Sequence, residues 1–227
     1  MTTAILTTTP AAIAGFLSIV PKSDIRYYLN GVYVEPDTGM MIATDGHVLL
    51  AHRTTARVPD VIPPFIIPRA LLEKVAKAKC DQVRISIDTS TSSCRDITLQ
   101  TGNGEGNGTP FEPDGCTFTL PEIEGRYPDW RRIVPRTVSG AATQLDPEKL
   151  LQVKEAMQAV CGKKRGRYWP VHVNQNGADQ GAMVTCSDIH TFAIVMPWRT
   201  DGSDFELTLK RFDLEPPAPP AEVADAA

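Results

Sequence analysis

Two distant stretches of the chain carry the same two features in the same order, and this repetition constrains the fold more than any other pattern. "RYY" at 26–28 precedes "ATDGHVLLAH" at 43–52, and "RYW" at 167–169 precedes "VTCSDIHTFAIV" at 184–195. The tetrapeptide "TDGH" therefore aligns with "SDIH". Internal similarity of this kind is typical of a chain built from repeated structural units.

The unit that fits the repeats is a strand, a helix and three further strands. Apolar residues recur at helical spacing over 10–20, 69–79 and 147–160, and each helix is followed by β-branched and aromatic runs separated by turn residues. The strands are predicted at "RYYLNGVYVE", "GMMIAT", "HVLLAHR", "FIIP", "QVRISID", "RDITLQT", "CTFTLPEI", "RYWPVHVNQ", "GAMVTCS" and "TFAIVMPWR". The chain thus reads as three such units: an α+β fold with antiparallel sheets and the helices on one face.

Composition excludes several classes of protein. The net charge of −4 argues against a wholly basic nucleic-acid coat, although not against a local basic face. The five cysteines are scattered, odd in number and never in a CxxC pair, which favours a reduced cytoplasmic protein without a zinc site. A signal peptide is not expected, and no apolar run approaches the roughly 18 residues of a membrane span.

The corner "ATDGHVLLAH" allows two interpretations. Asp45 and His47 could form half of a catalytic site, or Asp45 could hold a tight turn at Gly46 by accepting backbone N–H groups. Alternate residues of a regular strand point to opposite faces, which favours the turn. The run "GNGEGNG" lacks the GK[ST] ending of a phosphate loop. We therefore expect no enzyme, no cofactor and no bound metal.

Three motifs resemble one family. "DIRYYLNGVYVEPDTGMMIATDGHVLLAH" is similar to the middle domain of the bacterial DNA polymerase III beta sliding clamp, "EIEGRYPDWRRIVP" to its interdomain linker, and "FAIVMPWR" to its C-terminal ending. The motifs occur in clamp order. The resemblance implies a DNA-clamp fold, with helices lining a hole and sheets outside, in a shortened chain. It divides the sequence into a complete domain of two units at 1–122, a linker at 123–138, a half domain of one unit at 139–200, and an extension at 201–227 that we expect to be disordered from about residue 215.

The same resemblance implies a cleft for a partner peptide, roughly Gln-Leu-x-Leu-Phe, between the family's middle and last domains. Matched position by position, its residues are Leu29, Thr44, Gly46, His47, Val48, Leu49, Pro128, Arg132, Ile133, Val195, Met196, Pro197, Trp198 and Arg199. Two positions depart from the family: Val48 replaces a usual Arg, and Trp198 a usual Met. The residue types make an apolar slot with a His and Arg rim, although all of them could also be strand ends and core.

Basic residues lie on or near two of the predicted helices. Those that the resemblance would turn towards DNA are Lys74, Lys77, Lys149, Lys154, Lys163, Lys164 and Arg165. An ordinary solvated helix face explains them equally well. The first helix contains no Lys or Arg, so charge facing DNA would be unevenly distributed.

The predicted function is a sliding-clamp-like replication accessory that binds double-stranded DNA without sequence preference and tethers a polymerase, clamp loader or repair protein. The alternative is an adaptor or inhibitor that binds clamp partners without encircling DNA. Since a clamp ring has twelve units and this chain has about three, four copies would be needed to close one. "ELTLKRF" at 206–212 loosely resembles a clamp-binding peptide and could plug the cleft, or could be an edge strand.

Overall fold

The computed structural model of the chain describes residues 2–54, 62–90, 94–104, 111–163, 168–198 and 211. The α-helices in these ranges are α1 (Pro10–Ile19), α2 (Arg69–Val75) and α3 (Pro147–Val160). The strands are β1 (Thr2–Thr8), β2 (Gly31–Glu35), β3 (Met40–Thr44), β4 (Val48–Arg53), β5 (Phe65–Pro68), β6 (Gln82–Asp88), β7 (Asp96–Asn103), β8 (Glu112–Pro121), β9 (His172–Asn174), β10 (Ala182–Thr185) and β11 (Thr191–Val195).

The strands form two antiparallel sheets. The first has the order β1-β6-β7-β8, and the second has the order β5-β2-β3-β4-β11-β10-β9. The first two units exchange their leading strands, because β1 pairs with β6 of the second unit and β5 pairs with β2 of the first. Neither unit therefore completes a sheet alone.

The third unit extends the second sheet. Strand β11 pairs with β4 over the whole strand, from Thr191 opposite His52 to Val195 opposite Val48. The prediction that this unit also begins with a strand is wrong for the described residues. Residues 139–146 instead bond to the loop at 175–177, with Gly140 donating to the Gln175 carbonyl at 3.1 Å and Gly177 to that of Ala141 at 2.9 Å.

Helices α1 and α3 begin where the sequence predicts. Thr9 caps α1 by accepting from the Ala12 N–H at 3.1 Å, and Asp146 caps α3 by accepting from the Glu148 N–H at 2.8 Å. A proline follows each cap, where its missing N–H would have had no helical partner. The predicted 69–79 helix is too long: α2 ends at Val75, and the Ala78 N–H bonds back to the Val75 carbonyl in a tighter turn.

Gly15 fixes how closely α1 and α3 pack. A Cβ at this position would lie 2.7 Å from the Ala156 carbonyl oxygen and 3.0 Å from a Val160 methyl group. Such distances are shorter than real Cβ contacts, so only glycine allows this approach.

The apolar residues form two clusters on opposite sides of the seven-stranded sheet. Towards the helices, Val48 and Leu50 of β4 join the main core with residues such as Phe16 and Met157. Away from the helices, Leu49 joins a second cluster. The sheet is thus buried on both faces, one by helices and the other by the linker.

Two further sequence predictions concern segments that lie partly or largely outside the described residues. The Gly- and Pro-rich hairpin loop falls partly at 105–110, and nearly all of the 201–227 extension, including the proposed plug, lies outside the described residues. No helix within the described part of the chain is long and apolar enough to cross a membrane.

Candidate partner-binding surface at the sheet junction

The corner between β3 and β4 is a turn held by Asp45. Its Oδ1 accepts from the backbone N–H groups of His47 and Val48, each at 2.8 Å. Gly46 has a φ of +92°, the left-handed conformation that favours glycine. The hydroxyl of Thr44 closes the turn by donating to the Val48 carbonyl at 2.7 Å. The turn interpretation is confirmed, because Asp45 bonds the backbone of His47.

The other oxygen of Asp45 ties this corner to helix α3. Lys149 donates to Asp45 Oδ2 at 2.8 Å, between residues 104 positions apart. Burial would raise the pKa of Asp45, but the Lys149 ammonium and the two backbone donors hold that pKa below its ordinary value. The carboxylate is therefore charged at neutral pH and joins the first unit to the third.

The predicted equivalence of the two corners is confirmed. Asp188 Oδ1 accepts from the His190 N–H at 2.8 Å, the same two-residue span that Asp45 bridges. Among the described residues no lysine pairs with Asp188; its Oδ2 accepts from the Thr191 hydroxyl at 3.3 Å. The two corners share a turn and differ in their charge partner.

A buried carboxylate fastens the linker to the sheet. Glu35, at the end of β2, accepts from both terminal nitrogens of Arg131, at 2.7 and 2.6 Å, and from the Trp130 indole N–H at 3.1 Å. Burial would raise the pKa of Glu35, but these donors lower it overall. Sequence reasoning missed this site, although Trp130 and Arg131 stand in the quoted linker motif.

Aromatic rings complete the cover of the outer face. Tyr127 stacks on Tyr33 of β2 with ring centroids 4.6 Å apart and planes 5° apart. Trp130 lies 6.2 Å from the Phe192 ring of β11, and the Arg131 guanidinium lies 4.4 Å from the Trp130 ring. The linker thus contacts both the first and the third unit.

The predicted cleft residues fall into three groups by exposure. Five are buried, namely Leu29, Thr44, Val48, Leu49 and Val195. Met196 and Pro197 are half-buried, while Gly46, His47, Pro128, Arg132, Ile133 and Trp198 are exposed. Arg199 lies outside the described residues.

Val48 and Val195 do not belong to an outer cleft. They face each other across the β4–β11 pair and pack into the core beneath the helices. Leu49 and Met196 belong instead to the cluster on the outer face, as alternation along a strand requires. The sequence match placed all four residues together, and the pleat of the sheet separates them.

Part of the predicted cleft does form a groove. A depression of about 620 Å³ is lined by Arg132, Ile133 and Met196 from the predicted set, together with Gln180 and Gly181 beside β10. The Met196 N–H donates to the His47 carbonyl at 2.8 Å, which joins the corner to the groove side of β11. The linker, the corner and the end of β11 therefore meet at one place on the outer face.

The predicted DNA-facing cations differ in their availability. Lys74, Lys77 and Lys163 are exposed and Lys154 is half-buried, and the structure pairs none of them with a described carboxylate. Lys149 is already bonded to Asp45, so it is not proposed as a contact to DNA. Lys164 and Arg165 lie outside the described residues.

No group of three or more His, Cys, Asp or Glu side chains within the described ranges could hold a metal ion. All five cysteines are free, and Cys94 and Cys116 are exposed.

Comparison with known proteins identifies the architecture. The structure of the DNA polymerase III subunit beta from Pseudomonas aeruginosa matches with a TM-score of 0.61 at 19% sequence identity, covering 88% of this chain and 66% of that one. The beta sliding clamp of C. crescentus matches with a TM-score of 0.60 at 16% identity. The fold is that of a bacterial sliding clamp. The α+β clamp fold predicted from the sequence is therefore confirmed.

Proteins that are similar in sequence are also named beta sliding clamps. The beta sliding clamp of Vibrio cholerae is 28% identical over 171 residues, which is 74% of this chain and 41% of that protein. The beta sliding clamp of Haemophilus influenzae is 30% identical over 120 residues, which is 52% of this chain and 29% of the relative. The chain thus spans less than half the length of these relatives, and the resemblance to beta sliding clamps is confirmed. No family model matches the sequence.

Proposed function

We propose that the chain is a non-catalytic, clamp-like accessory of DNA replication or repair that holds partner proteins near DNA. The observation that carries the proposal is the division of the seven-stranded sheet into a helix face and a linker-covered outer face, in a chain whose fold is that of a sliding clamp. The helix face would lie against double-stranded DNA and the outer groove would bind the partner. Five free thiols favour a cytoplasmic setting.

The lysines proposed to face DNA lie on or after the two helices that flank α1. Lys74 and Lys77 belong to or follow α2, Lys154 is on α3 and Lys163 follows it, while α1 contributes no charge. Such contacts would be made to phosphates without reading sequence, and they would weaken with salt. Binding should therefore be retained on any duplex and lost as salt increases.

The strand edges bear on how a ring could close. The edge of β4 is already occupied by β11 of the same chain, so the end strands of the two described sheets are β1 and β8 in one and β5 and β9 in the other. A four-copy ring would have to join copies through these end strands, for example β8 of one copy with β9 of the next, a junction that the described strands do not form within the chain. This observation also favours the second candidate function, a partner-binding adaptor that does not encircle DNA.

One experiment separates the two candidates. The mass of the full chain in solution would be measured with and without DNA, and its retention compared on closed circular DNA and on the same DNA after cutting. A tetramer that is retained on circles and released by cutting supports the ring. A monomer that binds peptide and shows no dependence on circularity supports the adaptor, and a chain that binds neither DNA nor peptide contradicts both.

The groove is tested with a Gln-Leu-x-Leu-Phe peptide. Ile133→Asp places a charge at a position that is 40% exposed in the groove, and it should weaken binding by about tenfold, equivalent to about 1.4 kcal/mol. Val138→Asp is a matched control, because that valine is 56% exposed and is not part of the groove lining. Equal weakening by both variants would show that the groove is not the peptide site.

A further inference from the structure

A second depression lies on the outer face and contains none of the predicted cleft residues. It has a volume of about 380 Å³, with Met40, Trp130 and Phe192 among its lining residues and Arg53, Arg136 and His190 also lining it. We call it the basic aromatic pocket. It lies at the β11 end that begins with Thr191, whereas the groove lies beside Met196 at the other end.

The cations of this pocket are available to a ligand. Arg131 is bound to Glu35, but Arg53 and Arg136 have exposed side chains that the structure pairs with no described carboxylate, and the exposed His190 ring lies on the same lining. Ile189, on the same lining, is 91% exposed. An apolar floor with unpaired cations fits a segment that combines acidic residues with one or two apolar anchors.

The C-terminal segment has this chemistry. Residues 199–227 contain seven acidic and three basic side chains, a net charge of −4, which equals the net charge of the whole chain. The preceding 198 residues are therefore neutral overall. Within the segment, "DFEL" at 204–207 alternates Asp204 and Glu206 with Phe205 and Leu207.

The chain length allows this segment to reach the pocket. Seven residues separate Thr191 from Trp198, and Phe205 lies seven residues beyond Trp198. An extended chain that reverses after Trp198 covers the same distance per residue as the strand it retraces. With two residues used for the reversal, Leu207 would return level with Phe192 of the pocket lining, and Phe205 level with Ile194.

We propose that residues 204–207 of the C-terminal segment dock in the basic aromatic pocket of their own chain, with Phe205 and Leu207 on its apolar floor and Asp204 and Glu206 beside Arg53 and Arg136. This differs from a plug of the peptide groove by residues 206–212, both in the site and in the anchoring residues. Arg136 lines both depressions, so the docked segment would border the groove. The proposal does not depend on DNA binding or on ring closure.

The test uses the full chain and a fluorescent synthetic peptide of residues 199–210. Phe205→Ser with Leu207→Ser should vacate the pocket, so the peptide should bind this variant about tenfold more tightly than wild type, because a tethered segment competes at high effective concentration. The matched control is Leu214→Ser with Val223→Ser, which removes two apolar side chains elsewhere in the segment and should bind the peptide as weakly as wild type. Adding Arg53→Glu and Arg136→Glu to the vacated variant should abolish binding.

Hydrogen exchange locates the contact independently of the peptide. Amides at 130–136 and 189–192 should exchange faster in the vacated variant than in wild type, by the same factor at all protein concentrations. Equal peptide affinity for wild type and the vacated variant, or binding that survives the two arginine substitutions, would overturn the proposal. Protection that falls on dilution would overturn docking within one chain.

Discussion

The two faces of the seven-stranded sheet are covered in different ways. On the helix face, Val48 and Leu50 pack beneath helices α1 and α3, whose close approach depends on Gly15. On the outer face, Leu49 lies under a linker fastened largely through Glu35 and stacked rings. Close packing tolerates little change, whereas a few polar contacts can be released. The comparison suggests that stability depends mainly on one face and partner exchange on the other.

The largest loss of stability is expected from a substitution that forces α1 away from α3. Gly15→Val would insert a side chain against the Ala156 carbonyl and lower the free energy of unfolding by about 3 kcal/mol, as overpacking does. Ala14→Val is the control, since Ala14 is exposed on the same helix, and it should lose less than about 1 kcal/mol. Urea denaturation measures both, and equal losses would show that the α1–α3 contact is not tight.

Releasing the linker should have a smaller effect on stability and a local effect on dynamics. Glu35→Gln removes the charge that holds Arg131 and should lower the free energy of unfolding by about 2 kcal/mol. Amide exchange at 127–134 should increase while exchange in α1 and α3 is unchanged. Glu112→Gln, at an exposed carboxylate on β8, should change neither, and if α1 responded as strongly as the linker the two faces would not be independent.

The Asp45 corner tests the difference between the two faces further, because its lysine partner, Lys149, lies on a helix. Asp45→Asn keeps an oxygen for the turn but loses the ion pair, and should lower the free energy of unfolding by about 1 kcal/mol at neutral pH. Asp188→Asn should lose less, because that corner has no lysine in the structure.

The loss should depend on pH. The folded pKa of Asp45 lies below 3.8, so the stabilisation is complete above pH 3.8 and disappears as pH falls through the lowered folded pKa. The difference between wild type and Asp45→Asn should therefore be constant above about pH 5 and narrow below pH 3.8. A difference that widened in acid would contradict the assigned ion pair.

The smallest effect on stability is expected for an exposed lysine, in contrast to the ion-paired Lys149. Lys74→Ala should change the free energy of unfolding by less than about 0.5 kcal/mol, because the side chain is exposed. If Lys74 contacts a phosphate, the slope of log affinity for DNA against log salt should decrease by about 0.9. Lys149→Ala should do the reverse: it should reduce stability and leave the slope unchanged. The same change of slope in both variants would show that Lys149 also contacts DNA.

The elements that were predicted correctly depend on local chemistry. Helices α1 and α3 have an apolar stripe, a side-chain cap and a following proline, and each feature acts within a few residues. The Asp45 corner is equally local, because an Asp before Gly accepts the next backbone N–H groups wherever it occurs. The length of α2 and the start of the third unit depend instead on which distant segment takes the backbone hydrogen bonds.

The candidate site was predicted less well because it depends on pairing between distant strands. The face to which Val48 points is set by its position opposite Val195, and nothing within β4 specifies it. Glu35 and Arg131 are 96 positions apart, so no periodicity links them. The linker motif indicated the right region, and the geometry then determined which of its residues cover the sheet and which line the groove.

The pairing of β4 with β11 also has a consequence for how the chain is made. The residues that pair across this junction are about 140 positions apart in sequence. At the usual rate of about 5–20 residues per second, the ribosome needs roughly 7–30 s between releasing β4 and releasing β11. During that interval the edge of β4 has no native strand partner, so a newly made chain is most exposed to aggregation, and most dependent on chaperones, just before β11 emerges.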